Sequence, residues 1–353
     1  MLDSPRTSLT ETFSLDSLNQ KKRLAHVAEL AGVSLSTVDR VLNERGSVSD
    51  AKRRKVLNAA RALDLRRVLP SPVHGLLRFD LLMVESSTDH YRRVAAAFTR
   101  QAQLLRSRLV LQRQTWDERD PQQLLDFIAK PRTARQGLIV VAHDLPVIRA
   151  ALQAQIDQGV PVVLLTSSLS GLTGATFIGI DNHMAGRSAG RLLAQWVLPE
   201  RGQVLLITNS LLYHAHQARV GGFLQVLRER APHLAISHPV ECHDNDYMTA
   251  QAVRDAVEDG QPLAAIYNTG SGSAGIRKAL LELDLRPVWI THEASQQHAD
   301  FLREGLLSLV LDQDPECQAE AAIQHLLYAN GDLQSPAQAA PQLRIVIDET
   351  LPD

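Results

Sequence analysis

Apolar residues recur every three or four positions from Leu24 to Asn43, in the run LAHVAELAGVSLSTVDRVLN. Leu24, Val27, Ala28 and Ala31 share one face of a first predicted helix. Gly32 can take the positive φ that a tight helix-to-helix turn needs. Val33 packs the corner, and Ser34 is placed to cap the next helix. That helix buries Val38, Val41 and Leu42 and turns Leu35, Ser36, Thr37, Asp39 and Arg40 outward. Ser49 opens a third segment, SDAKRRKVLNAARALD, with Ala51, Val56, Leu57, Ala60 and Leu63 as its apolar stripe.

From Phe79 the period changes. FDLLMV, RLVLQR, LIVVA and PVVLLT are short apolar runs separated by helical segments, and FIGI, QVLLIT, AAIY, PVWI, LSLVL and LRIVI continue the series. Continuous apolar strands alternating with helices predict an α/β body of parallel, doubly wound sheets covered on both faces. Residues 79–353 exceed one comfortable sheet of this kind, so two lobes are expected. Between the helical head (21–66) and this body lies RVLPSPVHGLLR, where Pro70, Pro72 and Gly75 interrupt any helix; residues 67–78 read as a linker. Residues 1–20 are polar, lack periodicity and read as a disordered tail.

Charge sharpens the picture. The chain is nearly neutral at −2, yet Lys21–Arg67 holds twelve Lys/Arg against five Asp/Glu, a surplus of +7. Residues 1–20 carry −2, which leaves the body near −7. A basic head on an acidic body suits phosphate neutralisation at one end only. A helix presenting short polar side chains and one Arg suits a DNA major groove, so the head reads as a helix-turn-helix with its second helix as reader. Cys242 and Cys317 form no disulfide framework or paired metal motif, which points to a reducing cytoplasm. No secretory h-region and no apolar stretch of membrane-spanning length is seen.

The residues A-E-L-A-G-V-S-x-x-T-V-x-R-V-L-N closely resemble the headpiece of the lactose-repressor (LacI) family of bacterial transcription regulators. The resemblance implies base or phosphate contacts from Ser34, Leu35, Ser36, Thr37, Asp39, Arg40 and Asn43. His26 and Asp39 depart from the family, which usually has an acidic residue and Ser there. It also implies a hinge helix that inserts a leucine into the minor groove. The usual A-R-x-L is absent, and Leu69, Leu76 or Leu77 could serve as the wedge.

In doubly wound sheets ligands bind beyond the carboxyl ends of strands. Those ends carry Asp89 and Tyr91, Ser167 and Ser168, Asp181-Asn182, Asn209, His214 and His216 with Arg219, Asn268-Thr269, His292-Glu293, and Asp312-Gln313-Asp314. The order resembles the family's two-lobed core, which is like that of type I periplasmic binding proteins: G-I-D-N-x-x-A-G-R at the first crossover, A-R-V-G-G-F, Y-N-T-G and L-D-Q-D-P at the last. The resemblance implies ligand contacts from Arg219, Asn268, Glu293 and Gln313, to which strand-end position adds Asp89, Tyr91 and Ser167. It implies lobe 1 over about 79–180 and 314–341, and lobe 2 over about 181–313 and 342–350.

Rival chemistry is weaker. Gly270–Gly275 spells G-x-G-x-x-G between a strand and a helix, with Glu293 where a ribose-binding acid could stand. A dinucleotide-binding α/β enzyme is therefore the alternative reading. Asn268 and Thr269 separate strand from loop, however, and no catalytic pattern follows. The glycines read better as letting backbone approach the cleft, with a helix starting near Ser273. His233, His238, Cys242, His243, Asp244 and Asp246 match no closed zinc pattern and read as a solvated loop. His214 and His216 are candidates for the rim beside Arg219, and Trp116, Trp196 and Trp289 read as core or lobe surface. The sequence thus predicts a non-catalytic, cofactor-free, metal-free, cytoplasmic regulator. It would be a repressor, a dimer on pseudo-palindromic double-stranded operator DNA, with a sugar, polyol or sugar acid between its lobes and no membrane contact.

Overall fold

A computed structural model of the chain describes residues 23–43, 45, 48–63, 76–196, 202–258, 260–336 and 340–351. The chain divides into two compact units, one of Met1–Leu77 with Leu327–Ser335, the other of Arg78–Leu326 with Pro336–Asp353. The expected tail at 1–20 and most of the linker, with Leu69, lie outside the described residues.

In the first unit, helix α1 spans residues 23–31, α2 is Leu35–Leu42 and α3 is Asp50–Ala62. Gly32 adopts φ +63°, and the Val33 amide donates back to the Ala28 carbonyl at 3.0 Å, closing α1. Ser34 caps α2, its Oγ accepting from the Thr37 amide at 3.2 Å. Val27, Ala28 and Ala31 pack with Val38, Val41, Leu42, Val56 and Leu57 in one small core. The α3 stripe differs from expectation: Ala51 and Leu63 are exposed, while Ala59 and the side chain of Arg53 are buried. The amphipathic face is therefore rotated, and an arginine stem lies along it. Leu77, a candidate wedge, is buried as the first residue of a strand, which removes it from that role; Leu76 is exposed.

The second unit is built on two sheets. The first contains β1 (Leu77–Val84), β2 (Leu109–Trp116), β3 (Gly137–Val140), β4 (Val162–Leu165) and β5 (Thr176–Ile178), in the order β2-β1-β3-β4-β5. Registers β1/β3, β3/β4 and β4/β5 are parallel. Helices α4 (Asp89–Leu104), α5 (Pro121–Ala129) and α6 (Pro146–Asp157) intervene. Next come α7 (Asn182–Trp196), β6 (Gln203–Thr208) and α8 (His214–Arg230), then β7 (Ala235–Ile236), β8 (Val240–Glu241) and α9 (Asp246–Glu258). They are followed by β9 (Leu263–Asn268), α10 (Ser273–Glu282), β10 (Val288–His292), α11 (Gln296–Arg303), β11 (Leu309–Asp312), α12 (Pro315–Ala329) and β12 (Arg344–Val346). The second sheet runs β12-β11-β10-β9-β6-β7, with β8 beside β6.

Both sheets are buried on two faces, as runs such as QVLLIT require; Trp116 and Trp289 are core, and Trp196 is at the surface. β12 departs from the parallel expectation and pairs antiparallel with β11. Its preceding helix α12 covers the other sheet, where Leu326 packs on Gly137 of β3, so no same-sheet crossover fixes its direction. Among the described residues no helix is long and apolar enough to cross a membrane.

Helices α7 and α8 pack backbone to backbone. A Cβ at Gly186 would collide with the Arg219 carbonyl, and one at Gly222 with the His183 carbonyl. Gly186, Gly190 and Gly222 permit this approach.

Candidate functional site

The carboxyl ends of strands from both sheets open on one cavity. Thr88 and Tyr91 stand at its edge after β1, Thr166 and Ser167 after β4, Asn209 after β6, and Arg219 inside α8. Asp244, Thr269, Gly270, Glu293 and Gln313 complete the wall.

Arg219 is 3% exposed. Its Nε donates to Asn182 Oδ1 and its Nη1 to the Thr269 carbonyl, both at 2.8 Å, while Nη2 has no protein partner. A buried guanidinium with one orphan donor in a cavity wall is prepared for an oxygen of a bound molecule. Glu293 sits opposite, at φ +71°. His90 donates from Nδ1 to Glu293 Oε2 at 2.8 Å, and Gln313 donates to Oε1. Burial alone would raise the Glu293 pKa, but His90, Arg219 and Gln313 together hold it far below the usual carboxylate range. His216 lies beside Arg219, bonded through Nδ1 to Thr269 Oγ1 at 2.9 Å; burial first, and Arg219 second, push its pKa down to about 3. It is therefore a neutral ring at physiological pH.

The depressed Glu293 pKa carries a testable sign. Its folded value lies below the unfolded 4.5, so its ionised form stabilises the fold above pH 4.5 and that contribution fades as pH falls below it. Acid titration of the melting temperature should fall more steeply between about pH 5 and 3 for the native protein than for Glu293→Gln. Parallel curves would remove Glu293 as the carboxylate responsible.

Five of the seven residues expected at the ligand line the cavity: Tyr91, Ser167, Arg219, Glu293 and Gln313. Two do not. Asp89 is paired with Arg92 in the first turn of α4, and its neighbour His90 faces the site instead, one residue being 100° of helix. Asn268 is fully buried and braces the next loop, donating to the Ser271 carbonyl at 2.9 Å and accepting from the Gly270 amide at 3.1 Å. His216 lines the cavity, whereas His214 shares a 2.9 Å hydrogen bond with Ser168.

Asp244 is the residue that the sequence reading missed. Its surroundings read as a solvated loop, but β8 makes that loop a strand end, and Asp244 enters the wall at φ +56°. Its Oδ1 accepts from the Ser271 amide at 2.7 Å, and Asn209 donates to it as well. Burial pushes its pKa up, only partly offset by these bonds. Cys242 is buried, His243 is exposed, and among the described residues no cluster of three metal-ligating groups occurs.

The glycine loop meets carboxylates where a pyrophosphate would need free amides. Asp244 occupies the Ser271 amide, and Asp246 Oδ1 accepts from Gly275 N at 3.1 Å. Gly275 lies against the Asp246 carbonyl, so it serves the packing of α10 on α9. Helix α10 begins at Ser273, capped by Gly272 at φ +84°.

In the first unit, Ser34, Leu35, Ser36, Asp39, Arg40 and Asn43 are exposed along α2, and Thr37 is half-buried. Asp39 is not a bare charge: its Oδ1 accepts from Asn43 Nδ2 at 2.7 Å. Ser34 Oγ is shared with Ser36 Oγ at 2.9 Å and Thr37 Oγ1 at 2.8 Å.

Family models match two segments. "Bacterial regulatory proteins, lacI family" covers residues 23–67 and "Periplasmic binding protein domain" covers residues 80–332. Among solved structures, the chain is similar to GanP, a glucose-galactose binding protein from Geobacillus stearothermophilus. The identity is 20%, the TM-score 0.70, and the match covers 79% of this chain and 100% of that one. It is also similar to AraP, an arabinose binding protein from the same organism, at 21% identity and TM-score 0.62, covering 78% and 97%. A solute binding protein from Burkholderia graminis C4D1M, in complex with D-arabinose, matches at 14% identity and TM-score 0.69, again covering 78% and 97%. At these identities the likeness shows the fold. No curated protein matches the chain.

Proposed function

Because the chain belongs to the periplasmic binding protein domain family and carries a lacI-family regulatory domain at residues 23–67, we propose that it is an effector-controlled transcription repressor. The effector is a small polar molecule (a sugar, polyol or sugar acid) held between the two sheets of the body. The observation that carries this reading is Arg219, a buried guanidinium with its Nη2 unpartnered, in a wall of amide, hydroxyl and carboxylate groups. Such groups match ligand hydroxyls, which both donate and accept. The sugars named for the similar structures support the same class.

The protein acts in the cytoplasm as a homodimer. Two headpieces enter successive major grooves of a pseudo-palindromic operator, half-sites one helical turn apart. Arg40, Leu35 and Ser36 read bases; Ser34, Thr37 and nearby cations hold phosphates; the Asp39–Asn43 pair disfavours some bases at its position. Effector binding favours one arrangement of the lobes over another and shifts operator affinity by the differential binding energy, typically about 1–3 kcal/mol. Both matched families are non-enzymatic, and the protein is a sensor without catalysis or cofactor.

Fluorescence anisotropy on upstream DNA of the regulator's own operon, at about 50 and 200 mM salt with and without a sugar panel, tests the reading. Salt-sensitive binding that a sugar modulates is expected. Indifference to every duplex at low salt would overturn it. Arg40→Ala should weaken specific binding by about 1–3 kcal/mol, as for a lost base contact, and leave the ligand-free melting temperature unchanged. Unaltered affinity would take Arg40 out of the reading face.

A further inference from the structure

The charges lining the cavity are unequal, and they bear on which effectors can enter. Arg219 is the single Lys or Arg among its lining residues, and its charge acts first on Glu293, which His90 also engages, and more weakly on Asp244. Burial keeps His216 neutral, so it adds no second positive charge. Asp244, in contrast, makes no salt bridge among the described residues: its hydrogen-bond partners are the Ser271 amide and the Asn209 side chain, both uncharged, and His90, His243 and Arg219 act on it only through space. Its place is fixed by those bonds and by a left-handed backbone. The wall thus presents two carboxylates against one guanidinium and the His90 ring, which is hydrogen-bonded to Glu293 and not to Asp244.

Four buried atoms of the lining lack partners: the acceptors Asn209 Oδ1 and Gln313 Oε1, the donor Arg219 Nη2, and His90 Nε2. Hydroxyl groups satisfy all four, and an ammonium satisfies the two acceptors and the Asp244 carboxylate. An entering carboxylate or phosphate would meet Asp244 with one guanidinium, already shared, and a His90 ring committed to Glu293 to offset it.

Resting on the reading of this cavity as the effector site, we propose that it selects an uncharged or amine-bearing polyol and rejects the corresponding sugar acid and sugar phosphate. Asp244 is the residue that enforces the choice. This narrows the effector class, removing sugar acids from it, and it gives Asp244 a specificity role that neither Arg219 nor Glu293 performs.

The test uses the full-length protein and matched series that differ only in charge: galactose, galactosamine, galacturonate and galactose 6-phosphate, with the glucose and arabinose counterparts. Thermal shift finds a binding series and calorimetry measures its members. The neutral or amino member should bind, and the acid and phosphate should bind at least about a hundredfold more weakly, the scale of a like-charge contact in a desolvated site. In Asp244→Asn, checked for folding by its ligand-free melting curve, the gap between neutral and acid members should shrink by about tenfold, and any advantage of the amine should vanish. An acid or phosphate that binds as tightly as its neutral counterpart overturns the proposal. If no member of any charge binds, the effector-site reading falls instead, a result distinct from binding that ignores charge.

Discussion

Arg219→Ala should abolish the effector response while ligand-free operator affinity stays within about twofold of native. The guanidinium is buried, spends two of its edges on Asn182 and the Thr269 carbonyl, and leaves Nη2 without a protein partner. Its loss removes a charge-assisted bond to the effector, worth about 1.5–3 kcal/mol, and leaves the wall unpaired as well. Effector affinity should therefore drop at least a hundredfold. The body should also lose about 3–5 kcal/mol of stability, because Glu293 keeps its charge with one fewer cation to balance it. The headpiece folds around its own core. Arg219→Lys keeps a charge but not the planar fork, so it should fall between. Calorimetry for the effector and anisotropy for DNA separate the two effects. A native dose–response in Arg219→Ala would sink the assignment.

The second large effect is structural. Gly186→Ala should destabilise the body by at least about 3 kcal/mol, since its methyl would enter the space of the Arg219 carbonyl and no side chain can move aside. Helices α7 and α8 would have to part, and Arg219 itself rides on the displaced backbone. Gly221→Ala is the control. It lies in the same helix, nothing stands within 4 Å of its missing Cβ, and Ala there should stabilise by about 0.5–1 kcal/mol. Thermal melting by circular dichroism compares the two. Equal melting temperatures would refute the close crossing.

Much of this architecture is written locally. The strands of both sheets are apolar runs bounded by polar turns, and QVLLIT is β6 residue for residue. The headpiece follows from Gly32, Ser34 and one apolar face because each feature is fixed by neighbours within a few residues. What stayed hidden depends on contacts between distant segments. The small residues of α7 and α8 were visible, but which backbone they admit was not. Asp244 was lost because β8 has only two residues, too few to show alternation, and so its strand-end position went unseen. Had that strand been recognised, the rule that ligands gather beyond carboxyl ends would have included it. Asp89 reads as a ligand residue from its strand-end position, but a helix's first turn offers too few residues to say which face points inward, and it is His90 that lines the cavity. Asn268 shows the converse limit: a polar strand end can serve the loop that follows rather than the ligand.

Five non-glycine residues around the site hold left-handed backbones: Thr166, His243, Asp244, Glu293 and Asp314. Each such residue costs about 1 kcal/mol or more, and substitution by glycine would relieve it. A programme of directed evolution that rewards heat tolerance alone would find these five codons early. The survivors would be hardier proteins, deaf to the metabolite they were meant to hear.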